Sequence, residues 1–219
     1  MINHYCPRFM VIVFDLDDTL FAEMDFVRSA YRRIARIYGH ELLDPMLNAA
    51  TPREAFDSTG LPIEELLMIY RSHEPDILLP WQSLFTLAAL KNRGHTLGLI
   101  TDGRSLTQRN KLRALGLERF ISPDMIFISE EIGADKLSGE AFRRIIDTCG
   151  VGETYMYVGD NPKKDFIVAN RLGWQTVCLL NGARGENIFS QDFKQFPEEY
   201  WPKILISQLT DLLGFDNLK

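Results

Sequence analysis

Residues 9–19 read FMVIVFDLDDT, an apolar run that ends in closely spaced carboxylates. A run this short and this rich in β-branched residues predicts a strand that is buried on both faces, as in a parallel sheet. Asp15 and Asp17 are two residues apart, so the alternation of a strand would place them on one face and Asp18 on the other. Because open α/β sheets bind ligands at the carboxyl ends of their strands, these carboxylates are predicted to form an active site.

Strands and helices alternate through the rest of the chain. Apolar runs predict further buried strands at residues 97–101, 125–128, 155–158 and 176–180. Helical patterns cover residues 81–92, 105–115, 139–148 and 163–172, the last of them with Pro162 at its first helical position. This alternation predicts a three-layer, Rossmann-like α/β fold, in which a parallel sheet lies between two layers of helices.

The segment between the first two strands breaks this alternation. Residues 21–79 carry helical patterns and no convincing strand, and Pro75 and Pro80 mark the return of the chain. We therefore predict a small helical insert at 21–79, with residues 1–20 and 80–219 forming the α/β core. A chain of 219 residues is long enough for one such domain with an insertion.

Composition limits the partners that the protein is expected to have. The formal net charge is −6, which argues against a general nucleic-acid surface and is compatible with a phosphorylated metabolite handled through a metal ion. Cys6, Cys149 and Cys178 lack paired metal-ligand spacing and are typical of a reduced compartment. No apolar run is long enough to cross a bilayer, and the N-terminus does not read as a signal peptide. We expect a cytoplasmic monomer or homodimer without nucleic-acid or membrane partners.

Two later segments follow predicted strands and could bind an anion. Thr101-Asp102-Gly103 ends the second strand and opens a helix, and a hydroxyl with free backbone N–H groups at a helix N-terminus suits a phosphate. Lys136 lies in a loop before a helix, where its ammonium could neutralise a phosphoryl oxygen. Taken alone, the Thr-Asp-Gly segment is equally typical of a turn and helix cap, and a lone loop lysine is usually a solvated surface charge.

A second acidic cluster follows the fourth predicted strand. Asp160 and Asp165 belong to the segment GDNPKKD, which by itself could be a simple turn. Order favours a site instead, because an acid pair, a Thr, a Lys and a further acid pair follow successive strands of one sheet. Carboxylates from two strand ends can converge on one hard cation, and Mg²⁺ is favoured because it accepts few protein ligands together with water and phosphate.

This ordered set resembles the haloacid dehalogenase (HAD) superfamily of phosphohydrolases. Its four motifs match DLDDT at residues 15–19, LITDG at 99–103, GADKLSGEAF at 133–142 and GDNPKKD at 159–165. The helical insert corresponds to what the superfamily calls a type 1 cap. The chain departs from many relatives at Leu137, where they have a proline after the lysine of the third motif.

The resemblance implies a phosphatase that forms a phosphoenzyme. Asp15 would attack phosphorus and become an aspartyl-phosphate, and Asp17 would act as general acid and then as general base. Thr101 and the N–H of Gly103 would hold the transferred group, while Lys136 would offset its charge.

The resemblance also implies a magnesium site. Mg²⁺ would be held by Asp15, the main-chain carbonyl of Asp17, and Asp160. Asp165 is also assigned to the metal site, where it would act through water or by orienting Lys136 more than as a direct ligand of the metal.

A cap over the site implies a small phosphorylated metabolite as substrate. Arg28, Arg32 and Arg36 repeat every four residues on the first helix of the insert. One interpretation is that these arginines form a solvated basic face of the helix. The more specific hypothesis is that Arg28 contacts the leaving group of the substrate.

Other functions fit the residues less well. Dehalogenases of the superfamily lack the second carboxylate, which Asp17 supplies here, and phosphonate hydrolysis needs a cap lysine, whereas the first lysine of this chain is Lys91. Mutases of the superfamily carry a polar signature at the hinge of the cap, whereas residues 20–24 of this chain read LFAEM and do not match it. A receiver domain would place its acceptor Asp after the third strand, which is followed by SEE at 129–131. A phosphomutase and a non-catalytic protein that binds a phosphorylated ligand stay as alternatives.

Overall fold

A six-stranded parallel sheet forms the centre of the described part of the chain. The computed structural model describes residues 9–180 and 190–217, so Cys6 lies outside it, while Cys149 and Cys178 are free thiols. The strands are β1 (Met10–Phe14), β2 (Thr96–Thr101), β3 (Ile126–Ile128), β4 (Thr154–Gly159), β5 (Gln175–Leu179) and β6 (Ile204–Ile206). Their order in the sheet is β3-β2-β1-β4-β5-β6, and all neighbouring pairs are parallel.

Helices connect these strands, as the alternation predicts. Within the described ranges the α-helices are α1 (Glu23–Tyr38), α2 (Leu43–Asn48), α3 (Pro52–Asp57), α4 (Ile63–Ser72), α5 (Trp81–Asn92), α6 (Ser105–Leu115), α7 (Ser129–Ile132), α8 (Glu140–Cys149) and α9 (Ile167–Arg171). None of these helices, in the part of the chain that the structure describes, is both long and apolar enough to span a membrane.

The first strand lies in the interior of the sheet, which explains its composition. β1 pairs with β2 on one side and with β4 on the other, and Val11, Ile12, Val13 and Phe14 are all buried. Side chains on both faces of such a strand meet helices, so both must be apolar. The predicted α/β class with a parallel sheet is confirmed.

Two local features differ from the sequence-based expectation. β6 pairs with Val177–Leu179 of β5 and was not predicted, because its apolar run is three residues long and lies close to Pro202. The helix predicted from residue 163, with Pro162 at its start, begins only at Ile167. The preceding residues form a turn, in which the N–H groups of Lys164 and Asp165 donate to the carbonyl of Asn161.

The helical insert has a hydrophobic cluster separate from that of the sheet. α1 to α4 lie between β1 and α5 in the chain, and α1 buries apolar residues at the spacing of one helix face. The buried members of this cluster are Val27, Tyr31, Ile34, Ala35, Met46, Ala55, Phe56 and Leu66. These observations agree with a separate helical cap, whose boundaries at residues 21–79 stay a prediction.

Candidate active site

The predicted site residues from three strands meet at the carboxyl edge of the sheet. Asp15 directly follows β1 and its N–H donates to the carbonyl of Val158 (2.9 Å), Thr101 ends β2, and Asp160 follows β4. Because β2 and β4 are the neighbours of β1, the three ends lie side by side. Together they border a cavity of about 90 Å³. It is lined by Asp15, Asp17, Asp18, Glu23, Thr101, Asp102, Asp160, Asn161 and Lys164.

Asp18 does not lie on the opposite face from Asp15 and Asp17, as the strand pattern predicted. Its φ of 56° is left-handed, so the alternation of the strand ends before this residue. The carboxylate of Asp18 accepts a hydrogen bond from the N–H of Glu23 (2.9 Å), and all three aspartates line the cavity. The turn therefore concentrates negative charge at the end of β1.

Lys136 is buried between two carboxylates. Its Nζ lies 2.6 Å from Asp15 Oδ1 and 2.8 Å from Asp165 Oδ1, and the residue is 1% exposed. Burial alone would lower the pKa of Lys136, but Asp15 and Asp165 raise it well above its usual value. The ammonium is therefore a fixed positive charge beside Asp15.

The loop around Lys136 is held by hydrogen bonds. The N–H of Lys136 donates to Asp102 Oδ1 (3.1 Å), and the side chain of Asp135 accepts from the N–H of Ser138. Leu137, where many relatives have proline, points to solvent with 50% exposure. These hydrogen bonds hold Lys136 and the residues after it without a proline at this position.

Asp165 uses both of its oxygens inside the chain. Oδ1 contacts Lys136, and Oδ2 accepts from the N–H groups of Asp160 (3.1 Å) and Asn161 (2.8 Å). A Cβ on Gly159 would lie 2.5 Å from Oδ2, which explains why this segment begins with glycine. Asp165 is therefore placed to orient Lys136 and the loop after β4.

Three buried carboxylates at this edge could hold a metal ion. Oxygens of Asp15, Asp160 and Asp165 lie within 4.8 Å of one another. Burial raises the pKa of Asp15 to about 6, and burial together with Asp165 and Asp15 raises that of Asp160 to about 9. Among the contacts within the described residues, one oxygen of Asp15 and one of Asp160 have no donor. Both oxygens of Asp165 are taken by Lys136 and the loop after β4, so Asp15 and Asp160 offer the hard oxygen donors, which fit Mg²⁺ because this ion keeps several non-protein ligands.

Sequence reasoning missed two side chains that contact Asp17. Lys111 Nζ lies 2.7 Å from Asp17 Oδ1, and Gln108 Nε2 donates to Asp17 Oδ2 (3.0 Å). Both belong to α6, where Gln108 and Lys111 are buried although they are polar. The sequence signal that could have identified these two residues was the presence of polar side chains on the apolar face of the helix after the second strand.

Backbone N–H groups of the loop after β2, which were predicted to be free, donate hydrogen bonds within the chain. The N–H of Gly103 donates to Ser129 Oγ (2.9 Å), and the N–H of Ser105, at the start of α6, donates to Glu130 Oε2 (2.7 Å). The expectation of free N–H groups for a phosphate at Gly103 was therefore wrong for this arrangement of the loop. Thr101 and Asp102 do line the cavity, and Thr101 Oγ1 accepts from Gln108 Nε2 (2.6 Å).

Among the described residues that line the cavity, the one from the helical insert is Glu23, whereas Arg28 does not line it. Arg28 lies 3.6 Å from Asp25 in a half-exposed ion pair. Five residues of α-helix separate Arg28 from Glu23, which is about 140° of rotation and turns Arg28 away. Glu23 is exposed overall but lines the cavity. Partial desolvation of its carboxyl group by the cavity walls and the negative charge of Asp17 raise the pKa of Glu23 to about 7.

Comparison with known proteins agrees with this arrangement. The family model of the haloacid dehalogenase-like hydrolases matches residues 12–179. The chain belongs to this family. It is therefore a HAD-like hydrolase, and its curated relatives are named as phosphatases.

Two curated relatives illustrate the range of these names. A glyceraldehyde 3-phosphate phosphatase from Methanocaldococcus jannaschii is 29% identical, over 95% of this chain and 97% of the relative. A phosphoserine phosphatase from Thermus thermophilus is 37% identical, over 62% of this chain and 55% of the relative.

Solved structures share the fold of this HAD-like hydrolase. The HAD-hydrolase YfnB from Bacillus subtilis, solved bound to magnesium, has a TM-score of 0.66 at 20% identity, and the match covers 96% of this chain and 100% of that one. A HAD phosphatase from Thermococcus onnurineus has a TM-score of 0.58 at 22% identity, covering 95% and 98% respectively.

The acidic cluster makes a prediction about the stability of the metal-free hydrolase. A carboxyl group whose pKa is higher in the folded than in the unfolded state binds its proton more tightly when folded, so the free energy of unfolding falls as the pH rises between the two values. This window runs from 3.8 to about 6 for Asp15 and from 3.8 to about 9 for Asp160. We therefore expect the melting temperature in chelator to decrease across this range.

Asp160→Asn is the matched test of that expectation. Without the Asp160 carboxyl, the decrease above pH ~6 should largely disappear. Added Mg²⁺ should raise the melting temperature of the original protein more than that of the variant, because a ligand that binds only the folded state stabilises it. An identical pH dependence in both proteins would contradict the assignment of these carboxylates to one charged cluster.

Proposed function

We propose that this HAD-like hydrolase is a Mg²⁺-dependent phosphatase that hydrolyses a small phosphorylated metabolite through an aspartyl-phosphate on Asp15. The observation that carries the proposal is the contact of Asp15 with the buried ammonium of Lys136, at 2.6 Å, beside the carboxylate of Asp160. A carboxylate nucleophile and a phosphate ester are both anionic, so their approach requires concentrated positive charge.

In the first step, an oxygen of Asp15 attacks phosphorus. The bond between phosphorus and the ester oxygen breaks, and its electron pair stays on the leaving oxygen. That oxygen takes a proton from Asp17 and departs as the alcohol, while Lys136 balances the charge on the transferred group. Asp17 lines the same cavity as Asp15, which supports this division of roles.

In the second step, water attacks the phosphorus of the aspartyl-phosphate. The water gives a proton to Asp17, which is ionised after the first step, and the bond between phosphorus and the Asp15 oxygen breaks. Orthophosphate leaves, and both carboxyl groups return to their starting states. The hydroxyl of Thr101 would hold the phosphoryl group in both steps, a role supported by its place in the lining of the same cavity.

The metal site proposed for this mechanism uses Asp15, Asp160 and the main-chain carbonyl of Asp17. When bound there, Mg²⁺ supplies charge neutralisation for the phosphoryl oxygens. Asp165 keeps Lys136 and the loop after β4 in place, because both of its oxygens are already used.

The substrate is proposed to be a small polar phosphate ester of about three carbons. The cavity of about 90 Å³ is small beside ligand pockets of roughly 300–1,000 Å³. Glu23 and Lys164 line it and could contact hydroxyl, amino or acidic groups of a leaving group. The names of the relatives, glyceraldehyde 3-phosphate phosphatase and phosphoserine phosphatase, agree with a leaving group of this size.

Phosphate release from a panel of sugar phosphates, nucleotides and small organic phosphates tests this function. We expect turnover of small esters that requires Mg²⁺, is supported by Mn²⁺ and is abolished by chelator. Ca²⁺ should inhibit, since its larger and looser coordination would misplace the attacking carboxylate. Full activity in excess chelator would contradict the mechanism, isomerised product without phosphate release would indicate a phosphomutase, and binding without turnover would indicate a non-catalytic protein.

A further inference from the structure

A buried lysine of α6 has no role in the proposed chemistry. Lys111 is 3% exposed, and its Nζ lies 2.7 Å from Asp17 Oδ1. The same ammonium lies 4.5 Å from the ring centre of Phe26 in α1. A lysine is rarely this buried unless a partner compensates the lost hydration, so this contact with Asp17 is a specific one.

Gln108 holds the other oxygen of the same carboxylate. It is 1% exposed, and its Nε2 donates to Asp17 Oδ2 (3.0 Å) and to Thr101 Oγ1 (2.6 Å). Gln108 and Lys111 are three residues apart on α6, so they project from one face of the helix. Both oxygens of Asp17 are thus held from a single rigid element.

We propose that Lys111 and Gln108 are positioning residues that fix the direction of the Asp17 carboxylate for its acid–base role. This inference rests on the proposed function. Asp17 lies three residues beyond the end of β1, just before a turn, and its side chain is 21% exposed, so the packing of the strand does not fix its rotamer. A carboxylate offers about four lone-pair directions, and the two contacts from α6 leave others free to exchange a proton with substrate or water.

The charges around Asp17 make this clamp necessary. Asp15, Asp18 and Glu23 line the same cavity, and they repel an ionised Asp17 carboxylate. Lys164 also lines the cavity, from the loop after β4. Without Lys111, the Asp17 side chain would turn away from its acidic neighbours, and a displacement of about 1 Å can cost ~10²-fold in rate.

Lys111→Met separates positioning of Asp17 from damage to the whole site. Methionine keeps an unbranched stem against Phe26 and removes the charge. With p-nitrophenyl phosphate, whose leaving group needs no proton, Asp15 should still be phosphorylated, giving a stoichiometric burst of p-nitrophenolate. Steady-state turnover should fall by ~10- to 100-fold, because hydrolysis of the phosphoenzyme needs the base.

The controls are chosen so that each result has one meaning. Asp17→Asn should show the same burst with even slower turnover, and Gln108→Leu should show a milder form of it. Arg113→Met, on the exposed side of α6, should leave both phases unchanged. Melting temperatures show whether Lys111→Met is folded. If it is not, the burst and the steady-state turnover of Gln108→Leu decide the question.

Two results would overturn the inference. The first is a Lys111→Met variant whose turnover stays within about threefold of the original. The second is a variant that loses burst and turnover together while it stays folded, which would make Lys111 a structural residue of the whole site. If Asp17→Asn itself keeps full turnover, the acid–base assignment in the proposed function fails instead.

Discussion

Asp15→Asn is expected to lower kcat by ~10³-fold or more, which corresponds to about 4 kcal/mol of lost transition-state stabilisation. The amide that replaces the carboxylate is too weak a nucleophile to form the phosphoenzyme. Asparagine has nearly the same shape, and its carbonyl oxygen can still accept from Lys136, which contacts Asp15 Oδ1 at 2.6 Å. The measurement is phosphate release from a small ester found in the substrate panel, in saturating Mg²⁺.

Stability should not follow activity in this variant. Because burial raises the pKa of Asp15 to about 6, ionising it at higher pH costs free energy in the metal-free fold. Asp15→Asn removes that cost, so its melting temperature in chelator at pH ~8 should equal or exceed that of the original protein. Asp147→Asn, on the exposed part of α8, is the matched control and should change neither quantity. Turnover within a few-fold of the original would disprove that Asp15 is the nucleophile.

Lys136→Met is expected to damage activity and stability together. Removing the ammonium leaves Asp15 and Asp165 facing each other without compensation, and breaking a buried pair in this way costs about 3–5 kcal/mol. Turnover should fall equally for the preferred substrate and for p-nitrophenyl phosphate, since Lys136 acts on the phosphoryl group that they share. Denaturant unfolding measures the first effect and steady-state kinetics the second.

A double variant separates the two effects of Lys136. In Lys136→Met/Asp165→Asn, one of the two uncompensated charges is also removed, so part of the lost stability should return. Turnover should stay low, because the positive charge beside Asp15 is still missing. Recovery of kcat along with stability would mean that Lys136 supports the fold and takes no part in the chemistry.

Local sequence patterns were sufficient for strands β1 to β5 because they report local burial. β1 could be predicted since a strand between two neighbours must be apolar on both faces, and its buried residues satisfy this. The meeting of Asp15, Thr101 and Asp160 could also be predicted, because parallel strands end at one edge. β6 and the late start of α9 could not, since one is a three-residue edge strand and the other depends on side-chain hydrogen bonds.

The α/β class and the polar groups that gather at the carboxyl edge could be read from residue patterns along the chain. The pairing of those groups depends on how the folded chain packs. Lys111 and Asp17 are 94 residues apart in the chain, and no spacing rule links them. The presence of Glu23 instead of Arg28 at the cavity could not be predicted either, because it depends on the rotation of α1 about its axis as the helix packs. Contacts between distant segments follow from packing the whole core, whereas periodicity describes only each segment's own buried face.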